Sequence, residues 1–519
     1  MKRFSKFLGV VLAVVLVAQI AACGQAQRGD AAAPAAPATD NRFAGTPYEK
    51  HLDIVWMPHN EYDLPFEGPP SHVTDMLDEM FNVTITVPLV DNLNGEKWAA
   101  YFAAGGTADL VYRNGNPAHT TFIPQGIVRT IKWEWLYEWA PDWMDNLIKK
   151  VGLSENDIKL GSRFNGEYWM MPMAGATNFQ TFIALVRKAD LDAAGLNGPP
   201  TTLDQYYDLM VKVSDKTNNV YGNHGGVNGN FGFAFAAYDF VDGWVYGEDG
   251  KSAYHTRTTD RFKEVLQALA GWYSDGIIDP EYITDDRNIQ RTKWTEGNLR
   301  VLIDHPWWFD SATNGSVSKL IDEEQVPFGT VQGPYGKNAF ARTPNFFSNG
   351  FYFGADTSDE KVERIMRIKN ELVKDIDLWV SCYWGIEGET YQKNAQGVIS
   401  YMPHVDNPFI MEWGIRNNFA YVCAEWDRSA LAVDPADFKF YELSLAQTVI
   451  KPSLMTTDTN TALTERSADV SAIWDTYFID AVTGRADINA TWDAYLADLD
   501  SVGYQDIVKG YDEVLIPIN

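Results

Sequence analysis

Asp304-His305-Pro306-Trp307-Trp308 gathers a carboxylate, an imidazole and two indoles into five residues. A carboxylate accepts hydrogen bonds from hydroxyl groups, and an indole offers a flat apolar face with an N–H at its edge. These groups suit a ligand that is apolar on its faces and polar at its rim, as a sugar ring is. The competing reading is a buried aromatic corner. The chain holds 18 Trp, 25 Tyr and 27 Phe, 13 % of its 519 residues. Most of these belong to a core, yet the Trp count is high. Patterns of covalent or metal chemistry are missing: there is no H-E-x-x-H, no G-x-S-x-G, no phosphate loop and no C-x-x-C. No catalytic residue, metal site or cofactor is therefore expected. Glycoside hydrolysis stays open as an alternative, since it needs only two suitably spaced carboxylates.

What must position such groups is an alternation of strands and helices. Residues 52–57 form a short apolar strand that ends in a polar loop at 58–63. Residues 73–81 carry apolar positions at helical spacing, 83–87 are β-branched, 98–104 read as a helix closed by Gly105-Gly106, and 108–112 as a buried strand. This β-α-β-α-β order predicts a mainly parallel sheet flanked by helices. In such sheets ligands sit beyond the carboxyl ends of the strands. That selects Trp56, His59 and Asn60 after the first strand, and Tyr112, Arg113 and Asn114 after the third. Later strands are read at 167–172 and 181–186. Helices are read at 203–214, capped by Thr201 or Thr202, at 259/260–274, and near 359–380, 437–450, 461–483 and 487–501. Trp244, in an aromatic stretch at 231–246, and Trp384 are further candidates. Trp133, Trp135, Trp139 and Trp143 read as packing, and Glu387 as an acid that fixes a loop.

The N-terminus has another character. Lys2, Arg3 and Lys6 precede an apolar run from Phe7 to Ala18, and Ile20-Ala21-Ala22-Cys23 follows. This is the layout of an export signal, and the run is too short to span a bilayer. The cysteine at its end resembles the lipobox of bacterial lipoproteins, in which that cysteine is acylated. Residues 1–22 are then a signal peptide. Residues 23–45 are a lipidated Cys23 and a disordered tether rich in Ala and Pro. The net charge is −28, and loss of the three leading cations makes it more negative still. Such a surface disfavours nucleic acid and anionic lipid. Cys382 and Cys423 remain, with free buried thiols favoured over a disulfide.

Several segments taken together resemble the extracellular solute-binding proteins of ABC importers. Tyr101-Phe102-Ala103-Ala104-Gly105-Gly106-Thr107-Ala108-Asp109-Leu110 is similar to their "aaGdlPDi" stretch, and 165–172 (NGEYWMMP) to "dGkiYglP". Residues 186–206 resemble "iRkDwLdklGl…PtTldEy", 262–281 "lklmnkLYkeGlIdpE", and 384–391 (WGIEGETY) "yGiEGvhY". The chain is similar to the long lipoprotein branch of the carbohydrate-type family, related to maltose- and alginate-binding proteins. Likeness is weakest from about 400 onward.

The resemblance implies an α/β fold of the two-lobed periplasmic-binding-protein type (type II), with the ligand held between lobes joined by hinge strands. Lobe 1 is expected at 46–175 plus about 350–398, and lobe 2 at 176–349 plus about 399–519. Asn178 falls near the first crossover. Residues 303–309 resemble the "ingpWaw" segment of maltose-binding protein, which makes Asp304 a hydroxyl acceptor and Trp307 or Trp308 a stacking platform. Many long relatives carry a calcium loop where this chain has residues 214–222. That segment is too short and too poor in carboxylates here, and no calcium is expected. The implied function is a lipid-anchored, monomeric, extracytoplasmic receptor that delivers a carbohydrate, an oligosaccharide rather than a monosaccharide, to an ABC transporter permease. It would touch the membrane through its lipid alone. A surface glycosidase, or a sensor that serves a membrane kinase, is the alternative.

Overall fold

Leu52, Ile54 and Trp56 are buried along one side of the first strand while Asp53 is exposed, the two-residue period of a strand that packs one face against helices. The computed structural model describes residues 41–57, 70–88, 90, 95–114, 122–150, 153–164, 166–173, 182–225, 231–246, 252–310, 317, 320–336, 338, 340–341, 349–422, 428, 430–447, 449–450 and 461–514. Residues 1–49 and 50–519 are separate units. Within the first, Asn41–Phe43 form a 3-10 turn, and the Thr46 N–H donates to the Phe43 carbonyl at 3.0 Å. The lipobox, including Cys23, and Cys423 lie outside the described residues.

The second unit is built on two sheets. Their strands in chain order are β1 (Leu52–Met57), β2 (Val83–Thr86), β3 (Leu110–Asn114), β4 (Met170–Pro172), β5 (Ile183–Arg187), β6 (Val301–Asp304), β7 (Gln325–Phe328) and β8 (Asn349–Phe353). The first sheet runs β2-β1-β3-β8-β4 and the second β6-β5-β7. β1, β2 and β3 are parallel, as the alternation of elements predicts. β8 is antiparallel to both β3 and β4, and β5 is antiparallel to both its neighbours.

The helices that pack on these sheets are α1 (His72–Phe81), α2 (Gly95–Ala103), α3 (Leu203–Val213), α4 (Asp260–Ser274), α5 (Arg287–Glu296), α6 (Asp359–Lys374), α7 (Ile376–Trp384), α8 (Asn407–Trp413), α9 (Thr461–Val482), α10 (Ile488–Ser501) and α11 (Tyr504–Val514). Their starts are chemically fixed. Ser71 and Thr74 form a capping box on α1, and Thr202 and Thr259 accept from backbone N–H groups at the starts of α3 and α4. Each such cap contributes about 1 kcal/mol. The region read as one helix over 359–380 divides at Asp375, whose extended backbone ends α6 and whose carboxylate caps α7.

β5 is buried on both faces, so its alternate residues serve two cores. Ala184 and Val186 face α3, α4 and the C-terminal helices. Ile183 and Leu185 face Trp294, Phe309, Phe440 and Tyr441. In the first sheet, Met57, Val111, Met170 and Tyr352 share one core with Phe122 and Ala108. On its other face, the Lys369 ammonium of α6 lies over the rings of Trp56 and Phe351, 5.0 and 4.2 Å from their centroids.

Past residue 398, the described residues 407–422 and Arg428 reach elements of the first sheet. Trp379 Nε1 donates to the Ala420 carbonyl at 3.0 Å, and Lys369 Nζ to the carbonyls of Phe419 and Tyr421 at 2.9 and 3.1 Å. Arg428 donates to the Leu372 and Val373 carbonyls at 3.1 and 2.5 Å, where α6 leaves its last carbonyls without helical partners. This stretch therefore packs with the first sheet's helices. Val433, five residues on, already belongs to the second sheet's core.

Candidate functional site

β5 begins just after residues 174–181, and β8 just after 342–348. β4 ends before the first of these segments. The register pairs Gly350 with both Arg113 and Pro172, Ile183 with Asp304, and Ala184 with Phe328. The chain thus passes between the sheets from one end of each. At that crossover edge stand Met57, Asn114, Pro172 and Asn349 of the first sheet, and Ile183, Asp304 and Phe328 of the second. Loops leaving the carboxyl ends of β1 and β3 emerge on the same edge, where open α/β sheets bind ligands.

On the second sheet, β6 delivers Asp304 to this edge. Its carboxylate is 1 % exposed and accepts from Arg291 Nε at 2.8 Å and from the His305 N–H at 2.8 Å. Arg287 Nε stands 3.9 Å away. Burial pushes the Asp304 carboxyl up from its ordinary range, and Arg291, the His305 N–H and Arg287 pull it back. Asp304 was expected to accept a ligand hydroxyl, but its oxygens are engaged inside the protein. It acts as the anchor of Arg291. The Arg291 guanidinium then lies over the Trp308 ring, 3.6 Å from its centroid. His305 stacks on Trp307, at 4.0 Å and 10°, and meets the ring of Phe182 at a tilt, at 4.3 Å and 48°. Trp307 and Trp308 remain half-exposed. Gln447 fastens the arrangement by donating to the Phe182 carbonyl at 2.9 Å and accepting from the Thr330 N–H at 3.0 Å.

Other sequence candidates lie elsewhere. Trp56 is 1 % exposed and meets Phe419 at 5.8 Å, because position 56 turns toward α6 and away from the strand end. Tyr112 is 2 % exposed between Phe351 and Tyr421, and burial raises its phenol well above the ordinary value. Trp384 packs against Tyr401 at 4.5 Å and is buried. Trp244 joins His255, Tyr504 and Tyr511 under the C-terminal helices. Trp56, Tyr112 and Trp384 are thus buried against other rings, while Trp244 is half-buried among them. Arg113 and Asn114 are the last residues of β3, at the crossover edge. His59, Asn60 and Asn178 lie outside the described residues.

The sequence reading missed a second aromatic group. α1 connects the Met57 end of β1 back to the start of β2, so its first turn sits at the crossover edge. There the His72 ring lies 5.1 Å from that of Trp413, and Trp413 stacks on Phe409 at 4.9 Å and 20°. Gly414, at φ +68°, approaches so closely that a Cβ would come within 2.8 Å of Ser71 Oγ. The pattern D-N-P before an apolar run and a glycine after it marks α8 as a helix, but nothing local says that it meets α1.

His224, Asp279 and Asp285 offer metal-ligand atoms within 4.8 Å of one another. Their cation is the chain's own: Lys293 Nζ contacts Asp279 at 2.9 Å and Glu281 and Asp285 at 2.5 Å. Burial opposes that charge, yet the three carboxylates hold the ammonium above its ordinary value. In the 214–222 loop, Asp215 caps a 3-10 turn through the Thr217 and Asn218 N–H groups. A cavity of about 340 Å³ near Phe102, Asp109, Gly354 and Lys361 lies at the opposite end of the first sheet. There Asp109 is engaged by Lys361, at 2.8 Å, and by the Val55 N–H and Thr357.

Solved structures match this architecture over nearly its whole length. Alginate-binding protein AlgQ2, solved without calcium ion, is 15 % identical and superposes with a TM-score of 0.64 over 90 % of this chain and 98 % of its own. The FusA substrate-binding protein of a Streptococcus pneumoniae ABC transporter, in complex with kestose, is 16 % identical at a TM-score of 0.59, over 89 % and 98 %. An HMO-binding solute-binding protein from Bifidobacterium longum infantis is 15 % identical at 0.62, over the same shares. The chain has the solute-binding-protein fold. No family model and no curated protein matches the sequence. In this fold the half-exposed indoles of Trp307 and Trp308 occupy the crossover edge, held from behind by His305 and Arg291. The adjoining acids are engaged internally, Asp304 by Arg291 and Asp310 by the Tyr441 hydroxyl at 2.5 Å. Indoles so placed offer flat apolar faces with an N–H at the edge.

Proposed function

We propose that this protein is the receptor of an ABC importer, which captures a carbohydrate, an oligosaccharide rather than a single sugar, and delivers it to a membrane permease. The observation that carries the reading is the pair of half-exposed indoles at the crossover edge of a fold shared, over about nine-tenths of this chain, with sugar-binding receptors. Two lobes built on the two sheets close on the ligand by rotation about the crossovers. Contacts among the described residues support lobe 1 at 50–175 and about 350–431, and lobe 2 at 176–349 and from about 432 onward. Differential affinity for the closed form drives closure. No catalytic step is assigned to the protein. Cys23 carries the lipid that holds a monomeric receptor outside the cytoplasm. Among the described residues no helix is long and apolar enough to cross a membrane.

The test is calorimetry and thermal melting of the mature chain against neutral and acidic mono- and oligosaccharides, with product analysis. Saturable binding that raises the melting temperature, with the sugar recovered intact, is expected. Silence across the panel refutes the carbohydrate reading, and turnover of a glycoside refutes the receptor reading. Mass spectrometry of the protein from membranes reads the acyl chains on Cys23.

A further inference from the structure

His72 and Trp413 come from distant parts of the chain, yet the first turn of α1 and the last turn of α8 bring their rings together at the crossover edge. Trp413 and Phe409 stack face on face and remain half-exposed. A core pair would be covered. His72 Nε2 is buried and has no hydrogen-bond partner among the described residues. An unpartnered ring nitrogen beside an open aromatic face suits a hydroxyl on the rim of a ring that the face supports. The backbone beyond is strained: Arg416 adopts φ +67° and ψ −142°, and its N–H donates to the Tyr383 carbonyl at 2.8 Å. A non-glycine residue in that region costs about 1–3 kcal/mol and persists where the surroundings impose it.

We propose that Trp413, backed by Phe409 and beside His72, forms a sugar-stacking subsite on the first sheet's side, separate from the Trp307–Trp308 platform on the second. This rests on the carbohydrate reading above and deepens it. Each platform supports one ring, so the ligand is a chain of at least two rings with an apolar face available at each. A monosaccharide engages one platform at a time and gains nothing from the other.

The experiment is calorimetry on the mature chain with matched ladders of fructose-, glucose- and mannose-linked sugars from one to five units. Wild type, Trp413→Ala, Trp413→Phe and Trp307→Ala are compared. For the ladder that binds, Trp413→Ala is expected to weaken the longer members by about threefold to tenfold, the scale of one aromatic stacking contact. It leaves the monosaccharide within about twofold and flattens the dependence on chain length. Trp413→Phe keeps most of that dependence, which a merely structural defect would not allow. If wild type binds and Trp413→Ala follows the same length dependence, the subsite is overturned while the receptor function stands. If wild type binds neither these ladders nor the acidic saccharides of the panel above, the receptor reading falls and the subsite with it.

Discussion

His255 makes the second sheet's helical cover sensitive to acid. Its ring is 6 % exposed, stacked on Trp474 at 3.9 Å and set edge-on to Trp244 at 5.3 Å. Nδ1 accepts from the Arg257 N–H at 3.2 Å, which requires that nitrogen to be unprotonated. Burial lowers its pKa from 6.5 to about 4; Asp242 opposes the shift and Arg257 adds to it. The folded state thus prefers the neutral ring, while the unfolded chain takes up a proton first. The stability from this preference is complete above about pH 6.5 and is lost as pH falls toward 4. At 1.36 kcal/mol per pKa unit, the loss reaches about 3 kcal/mol. His72 and His224 are also lowered by burial, so the comparison must isolate one ring. His255→Phe keeps the stack and removes the titration. At neutral pH it loses about 1 kcal/mol with the Arg257 hydrogen bond. Urea unfolding of both proteins from pH 7.5 to 4 reads the difference. The variant is expected to start less stable and to finish more stable, with crossing curves. Parallel curves would refute the assignment.

Arg291→Ala leaves Asp304 buried without its closest cation, and breaking such a pair costs about 3–5 kcal/mol. Denaturant unfolding is expected to show that loss, and a loss below 1 kcal/mol would contradict the anchoring role given to the pair. Lys293→Met removes the ammonium from Asp279, Glu281 and Asp285 and is expected to cost a similar amount. Added zinc should recover part of it through His224, Asp279 and Asp285; equal melting with and without zinc counts against Lys293 as the cluster's cation. Cys382 is fully buried, and burial pushes its thiol up to about 12. Iodoacetamide at pH 8 should leave it unmodified in the native protein and label it in urea, as peptide mass spectrometry would show.

The β1-α1-β2-α2-β3 order was legible because each element carries its own period or stop: the apolar run of 52–57 before its polar loop, the helical spacing of 73–81, the glycines after α2. The helix starts, read at Thr201 or Thr202 and at Thr259 or Asp260, were equally local, and the caps are Thr202 and Thr259. The aromatics were harder, because a tryptophan near a strand end is read identically whether it faces a helix or a ligand. Trp56 turned toward α6, and no residue near it announces Lys369 or Phe419 as neighbours. The chain's last return to the second sheet was illegible for the same reason. Arg428 is held by carbonyls 55 and 56 residues away, a pairing with no period or motif. Asp304 shows the same limit: its acid faces inward to Arg291, which a linear reading cannot see.

The strand order also sets a timetable. β8 lies between β3 and β4, so Met170–Pro172 gain a neighbour in the first sheet only once residues 349–353 exist. At about 5–20 residues per second, synthesis of the intervening stretch takes roughly 10–40 s. Until then the first sheet is β2-β1-β3 with one flank of β3 open, a state that cannot close on its own and that is prone to pair wrongly. The same delay makes the interval before residue 353 emerges the period when a holding chaperone matters most.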